Sequence, residues 1–576
     1  MSHQSENCLP LRIKNLKVDN IVEIKELAPS IPAVYLFILP YNSSSNELEI
    51  TKDFIKSLKG FISRGDNETV ICFLASPQTA SKLLLDLQKE INYKLWVSVK
   101  YDKPIIREGE LPYNHSTLLI LGNYKGNLKH NKTRIAYTYC PSCNKTTKDY
   151  GGKKHTYHSY GTLMSDVWRD ISISPDKFPN SVVDRLKDVF GITPYKTLFV
   201  INLLELFEYK KSVPVRRTFD LIRTNEISEN YHDVLLNGNC LEILKELPSN
   251  SIDYCFADPP YNLRKKYDSW EDSLSIKDYF EWCDRWLCEL GRIIKPNCTV
   301  TILNIPLWTV RHYKYMKNIL NFQKWITWEG LSLPVRMIMP ANYSFLCFSK
   351  GKPRKLALDK KPELLSLKEF YCIRQSCINN RKNDREPITD LWWDIHRLKH
   401  NTRRADHPCQ LPSAIMKRLI SLFTNEGEIV LDPFNGVGTT TLSAKHLNRK
   451  YIGIELSDYY HKIAQERHKE LLQGLDPFRK NGSTPKAKNS TVPRLKKQKY
   501  VVSKKVLQLE VKRIAQNIGR LPTRREVEQF SKYPIEYYND YFISWGEVCA
   551  AARTTGMKET RDIKKEKEKV LQFELF

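Results

Sequence analysis

SIDYCFADPPYNL, residues Ser251 to Leu263, is the stretch from which the rest of the chain can be read. Ile252 to Ala257 is an apolar run of strand length, bounded by polar residues and proline, which suits a strand buried on both faces of a parallel sheet. Pro259 and Pro260 cannot donate to a ladder, so the sheet stops there. The reading places an acid (Asp258), two rigid carbonyls and a ring (Tyr261) just past a strand's carboxyl end, where open α/β sheets hold their ligands.

That set of groups suits activation of an exocyclic amine on a nucleobase. The amine's lone pair is delocalised into the ring. Accepting its protons on the Asp258 carboxylate and the Pro259 carbonyl would localise that pair, while Pro260 shapes the loop. Tyr261 would stack on a base taken out of the duplex, worth roughly 1–3 kcal/mol. Four residues alone fit an ordinary Pro-Pro turn equally well.

A second stretch decides between them. IVLDPFNGVGTT, Ile429 to Thr440, reads as a strand, then a turn of Asp432, Pro433, Phe434, Asn435, Gly436 and Gly438, then a helix opened by Thr439 and Thr440 and running to about Leu447. Tyr451 to Ile454 forms the next strand, closed by Glu455. Glycine lets backbone approach a ligand, and an acid at the end of the following strand is the usual acceptor for ribose hydroxyls.

D-P-P-Y followed by F-x-G-x-G resembles the S-adenosylmethionine-dependent DNA amino-methyltransferases, in the motif order of their β class. His407-Pro408-Cys409-Gln410-Leu411-Pro412 resembles that family's H-P-x-Q-K-P segment, with Leu411 for the usual Lys. Asn237-Gly238-Asn239-Cys240 resembles its N-G-D-C segment, with Asn239 for the Asp that contacts adenine. The resemblance covers about Asn230 to Leu472. It implies a Rossmann-like methyltransferase sheet, base flipping and direct methyl transfer. It also implies that Asp432 to Gly436, Gly438, Thr439, Thr440, Glu455, His407, Gln410 and Asn239 hold the cofactor. D-P-P-Y resembles adenine-N6 enzymes more than cytosine-N4 ones, which more often begin with Ser. Pro408-Cys409-Gln410 also spells the P-C-Q of cytosine-C5 enzymes, but it precedes F-x-G-x-G instead of following it.

The 576 residues suggest about four domains. Hydrophobic content of 41% supports real cores, and a net charge of +26 points to a polyanion, with double-stranded DNA the first candidate. No apolar run reaches membrane length and the N-terminus lacks a signal peptide. The sequence therefore predicts a cytoplasmic, nucleoid-associated protein of a bacterium or phage, with a cognate restriction endonuclease as a candidate partner.

Residues 1–229 echo the residues that follow. Val34 to Asn42 aligns with Tyr254 to Asn262, placing Ile38 at the acid's position and Leu39 at that of Pro259. Lys94 to Val97 aligns with Lys324 to Thr327, Asn114 to Leu119 with Asn342 to Cys347, and Asp166 to Ile171 with Asp390 to Ile395. Pro179 to Leu186 aligns with Pro412 to Leu419. The order is kept throughout, the mark of a long-period repeat. Because β-class members often dimerise, the resemblance implies an internal pseudo-dimer with a degenerate first copy: no acid at Ile38, and no glycine in Asn202-Leu203-Leu204-Glu205.

Within that copy, Cys140 and Cys143 form a C-x2-C that His155 and His158 could complete as a structural zinc site; Cys372 and Cys377 are an alternative second pair. Residues 230–472 form the catalytic domain, in which Arg264, Lys265, Lys266 and Tyr267 are placed to hold phosphates. Residues 473–505 read as a basic flexible linker. Residues 506–557 read as a small all-α module resembling the homing-endonuclease-associated repeat, with capping boxes at Thr523/Glu526 and Ser544/Glu547. Residues 558–576 are a charged tail. The fold class is α/β, with the sheet duplicated. Two further readings stand beside adenine-N6 methylation: cytosine-N4 methylation, and a non-catalytic nucleic-acid-binding protein that kept the fold.

Overall fold

The computed structural model describes residues 13–16, 24, 33–40, 47–48, 50–137, 139–140, 143–146, 158, 161–175, 177–193, 196–207, 209–210, 225–264, 267–270, 272–330, 338–358, 361–368, 377, 385–395, 397–398, 410–478, 502–542 and 544–552. His155, Lys265, Lys266, Cys372, His407, Cys409, most of the linker and the charged tail lie outside them.

Two sheets dominate. The first contains β1 (Ile13–Leu16), β2 (Ala33–Ile38), β3 (Val70–Ala75), β4 (Asn92–Ile105), β5 (Tyr113–Gly122), β6 (Val167–Ile173) and β7 (Thr197–Asn202), in the order β1-β7-β2-β3-β5-β4-β6. The second contains β8 (Val234–Asn237), β9 (Ile252–Ala257), β10 (Ile294–Asn304), β11 (Asn321–Glu329), β12 (Asn342–Ser349), β13 (Leu391–Trp392), β14 (Ile429–Asp432) and β15 (Lys450–Glu455), in the order β8-β15-β14-β9-β10-β12-β11-β13. From β7 or β14 outward, the two orders coincide strand for strand. So do the senses: parallel until the antiparallel β5 or β12, then a final parallel edge pair. β1 takes the place of β15. All six residues of β2 and of β9 are buried, as continuous apolar strands covered on both faces require.

The helices repeat as well. α1 (Lys52–Arg64) and α2 (Pro77–Leu87) follow β2 and β3, and α3 (Asn180–Phe190) precedes β7. In the second half α4 (Cys240–Glu246) comes first. α5 (Ile276–Ile293) and α6 (Pro306–Met316) then follow β9 and β10, and α7 (Ser413–Phe423) precedes β14. Thr51 and Ser275 cap α1 and α5 through their hydroxyls. The apolar stripe on α5, Phe280, Cys283, Trp286, Leu287 and Leu290, is buried core.

The halves meet about a pseudo-two-fold. Asp166 Oδ1 accepts from the Asn342 N–H (2.9 Å), and Asp390 Oδ1 accepts from the Asn114 N–H (2.7 Å). The Ser98 and Thr327 hydroxyls bond each other at 2.9 Å, and Trp96 stacks on Trp325 with centroids 5.2 Å apart. This register corrects the sequence alignment by one residue: Trp96 matches Trp325, not Ile326. The strands next to the edge, β4 and β11, carry register irregularities at Tyr93/Leu95 and Phe322/Lys324, which an ungapped comparison cannot see. Behind the contact, Trp168 donates its indole N–H to the Ser165 carbonyl and Trp392 to that of Thr389. Arg185 pairs with Asp170 where Arg418 pairs with Asp394.

Where the second half opens a cavity, the first is filled. Ile38, Leu39 and Leu203 are wholly buried, and the Leu203 N–H donates to the Ile38 carbonyl at 2.8 Å.

α8 (Thr439–His446) and α9 (Asp458–Leu472) complete the second half. The chain stays packed beyond residue 472: the Pro477 carbonyl accepts from Arg467, and Lys417 lies over the Phe478 ring. Ser503 caps α10 (Lys504–Ile518), so helix begins before residue 505, the end expected for the linker. α11 (Arg524–Phe530), α12 (Ile535–Tyr541) and α13 (Trp545–Val548) close the helical module around Leu507, Val511, Ile514 and Tyr538. Thr523 and Glu526 form the full capping box; at Ser544 the hydroxyl accepts from the Glu547 N–H. The module docks on α3 through a buried Lys512–Asp188 ion pair of 2.8 Å. No described helix is long and apolar enough to cross a membrane.

Candidate active site

Three neighbouring parallel strands of the second sheet end in acids. β15 closes with Glu455, β14 with Asp432, and Asp258 follows the last residue of β9. Between them lies a cavity of about 270 Å³. Its wall brings together Asn239, Asp258, Pro259, Pro260, Tyr261, Gln410, Asp432, Pro433, Phe434, Asn435, Gly436, Thr439, Thr440 and Glu455 from the sequence-derived set.

Each acid is held differently. The Tyr261 hydroxyl donates to Asp258 Oδ1 at 2.8 Å. Glu455 takes the Gly436 N–H on one oxygen (2.7 Å) and the Ser457 N–H on the other (2.9 Å), so the acid organises the glycine turn across 19 residues of sequence. Gly436 sits at φ 50°, in the left-handed region that glycine reaches without strain. Asp432 accepts from the Phe434 N–H at 2.9 Å. Burial, with the neighbouring charges of Asp258 and Glu455 adding to it, pushes the Asp432 carboxyl up to about 7. Burial also raises Glu455.

The D-P-P-Y loop is fixed from behind. Tyr279 donates to the Pro260 carbonyl and Trp308 to the Tyr261 carbonyl, each at 2.8 Å. The buried Asp272 carboxylate accepts the N–H groups of Asn262 (2.6 Å) and Leu263 (2.9 Å), and its carbonyl accepts that of Arg264 (2.7 Å). These bonds hold Asn262 and Arg264 at φ 55° and 58°. Sequence reasoning missed Asp272. The cue was Asn262, a residue type that tolerates positive φ directly after a loop needing an acceptor. It also missed the aromatic wall: Trp270 and Trp282 lie 4.8 Å apart between centroids, and Phe434 packs 5.7 Å from Trp282.

Two assignments change, and Asn239 takes a second role. Gly438 stands behind the wall. It caps α8 at φ 81°, and a Cβ there would come 3.1 Å from that of Ala464, so its small size serves helix packing. Asn239 reaches the cavity, but its side-chain oxygen caps α4 by accepting the Leu241 N–H at 3.0 Å. For the metal set, the third group beside Cys140 and Cys143 is Cys377; His158 is exposed and does not join the cluster. His155 and His407 lie outside the described residues.

The acid-lined cavity suits a cation-bearing nucleoside. Burial is the main cause of the raised Asp432 carboxyl; the carboxylates of Asp258 and Glu455 on the adjacent strand ends add to it, and a positive ligand offsets that addition. The left-handed Gly436 turn brings bare backbone to the wall, and Glu455 is placed for hydroxyls.

Residues 252–466 match the family described as DNA methylase, and residues 502–552 match the homing endonuclease associated repeat. The chain is 37% identical over 244 residues to the type II methyltransferase M.BamHI of Bacillus amyloliquefaciens, covering 41% of this chain and 56% of that one. It is 34% identical over 247 residues to the type II methyltransferase M.HpaI of Haemophilus parainfluenzae, covering 42% and 76%. It is 27% identical over 254 residues to the DNA adenine methyltransferase YhdJ of Escherichia coli strain K12, covering 41% and 83%. The solved PvuII DNA methyltransferase, cytosine-N4-specific, is similar at 20% identity and a TM-score of 0.31, over 40% of this chain and 84% of that one. With a relative 34% identical over 76% of that relative's length, and with the family's motifs meeting across one cavity, the chain belongs to the DNA methylase family.

Proposed function

We propose that the chain methylates the exocyclic N6 of an adenine swung out of duplex DNA, with S-adenosylmethionine as donor. The observation that carries the reading is the meeting of Asp258 to Tyr261 with the Phe434–Gly436 turn and Glu455 on one wall. Asp258 and the Pro259 carbonyl accept the amine's protons, making its nitrogen nucleophilic. Tyr261 orients the Asp258 carboxylate through its hydroxyl and offers its ring to the base. Glu455 takes ribose hydroxyls, Gly436 lets the ligand approach the backbone, and Gln410 closes the far side. The bound cofactor supplies an electrophilic methyl carbon on a sulfonium. The aromatic wall of Trp270, Trp282 and Phe434 excludes water. The first half, its equivalent site filled by Leu39 and Leu203, serves as scaffold. The net charge of +26 supports a phosphate-dominated DNA contact. Relatives named as type II methyltransferases support a place beside a restriction endonuclease.

Mass spectrometry of nucleosides from DNA treated with the protein tests the reading. N6-methyldeoxyadenosine is expected. N4-methyldeoxycytidine would move the target to cytosine and keep the chemistry, while no modified base under conditions of DNA binding would leave a non-catalytic binding protein.

The acid cluster makes cofactor binding pH-dependent. An Asp whose folded value stands at about 7, above its unfolded value of about 3.9, removes stability as pH rises between the two. A cationic ligand lowers that value, so binding expels a proton near neutrality. Affinity for S-adenosylmethionine is expected to tighten from about pH 6 to 8, by no more than about tenfold per unit for one proton. Calorimetry in two buffers of different protonation enthalpy reads the proton directly. Proton uptake, or a flat profile, would show that Asp432 does not sense the ligand.

A further inference from the structure

Outside the active site, one side-chain cluster is assembled from both halves of the chain. Cys140 and Cys143 sit on a small hairpin whose strands are Tyr139–Cys140 and Lys145–Thr146. Asn144 turns it at φ 50°, and its side-chain oxygen accepts from the Tyr139 hydroxyl at 2.6 Å. Cys377 comes from the second half, 237 residues from Cys140, yet the two sulfurs stand 3.7 Å apart. All three sulfurs lie within 4.8 Å of one another. Cys140 and Cys377 are 1% and 6% exposed, and with Cys143 they form a cluster of their own, apart from the apolar cores. Among the described residues no aliphatic or aromatic side chain belongs to it.

The spacing is informative. Thiolates about 2.3 Å from a tetrahedral zinc ion stand about 3.8 Å from each other, and disulfide sulfurs about 2.05 Å. The observed 3.7 Å matches the metal geometry. The C-x2-C hairpin supplies two ligands from one turn, as zinc knuckles do. Its place in the fold is also specific. Cys140 lies between β5 and β6, and Cys377 between β12 and β13, the equivalent excursions of the two halves.

We infer that Cys140, Cys143 and Cys377 bind a structural zinc ion that staples the first half to the second across their pseudo-two-fold contact. Each thiol releases its proton to solvent as it binds. These three sulfurs would fill three of the four positions of a tetrahedral ion.

The test uses the full chain, purified under reducing conditions without chelator. Elemental analysis is expected to find about one zinc per chain. Exchange for cobalt should give a thiolate-to-metal charge-transfer band whose intensity reports three or four sulfur ligands. Cys377→Ser should lose the metal while Cys288→Ser, an exposed thiol elsewhere, keeps it. Should Cys377→Ser fail to fold, the wild-type cobalt spectrum still decides. Metal-free wild-type protein that takes up no zinc, a spectrum of two or fewer thiolates, or a Cys140–Cys377 disulfide in a non-reduced digest would each overturn the assignment.

Discussion

Asp258→Ala is expected to lower methyl transfer about a thousandfold while cofactor and DNA affinity change only a few-fold. The residue stands just past β9, half-buried at the cavity wall, and is not part of the core, so its loss removes chemistry before it removes structure. A base amine whose lone pair is shared with its ring needs an acceptor for its proton at the moment its nitrogen attacks. Alanine has none. The Asp258→Asn substitution keeps an oxygen for the Tyr261 hydroxyl but neither the charge nor the same basicity, and activity should still fall about a hundredfold. Single-turnover transfer of labelled methyl, with cofactor binding measured separately, separates the two effects. An alanine enzyme retaining a substantial share of the wild-type rate would place the acceptor elsewhere. The first half offers no substitute carboxylate at the equivalent position, since Ile38 and Leu39 are fully buried apolar side chains.

The second large effect is on binding. Glu455→Ala should weaken S-adenosylmethionine binding about a hundredfold. The side chain is asked to do two things: accept ligand hydroxyls, and hold the Gly436 and Ser457 N–H groups that shape the turn. Hydrogen bonds to a charged acceptor are worth about 1.5–3 kcal/mol each, and a net loss near about 2.7 kcal/mol is a hundredfold in affinity. Glu455→Gln keeps one acceptor but turns an amide N–H toward a backbone N–H, so about a tenfold loss is expected. Equilibrium dialysis decides it. Wild-type affinity in the alanine protein would show that the ligand's hydroxyls lie away from β15.

What the sequence made legible follows from where local rules act alone. β9 and β14 were readable because strands buried on both faces are apolar throughout and stop at Pro or Gly. The turn was readable because Gly436 needs its conformation. Gly438 shows the limit of that reasoning: its neighbour Ala464 belongs to a helix whose approach no spacing encodes. Asp272 and Trp308 were hidden for the same reason, as hydrogen-bond donors and acceptors brought to the loop from other segments. The sequence offers Cys377 as one of an alternative pair, but only the fold shows that it meets Cys140.

The contact between the halves ties the backbone of each to a carboxylate of the other. Asp166 serves the backbone of Asn342, and Asp390 serves that of Asn114, so each half keeps its partner's edge in order. The two halves are alike where each supports the other, at Asn114 and Asp166 in the first and Asn342 and Asp390 in the second. They differ at Ile38 and Leu203, fully buried apolar side chains that need no such support.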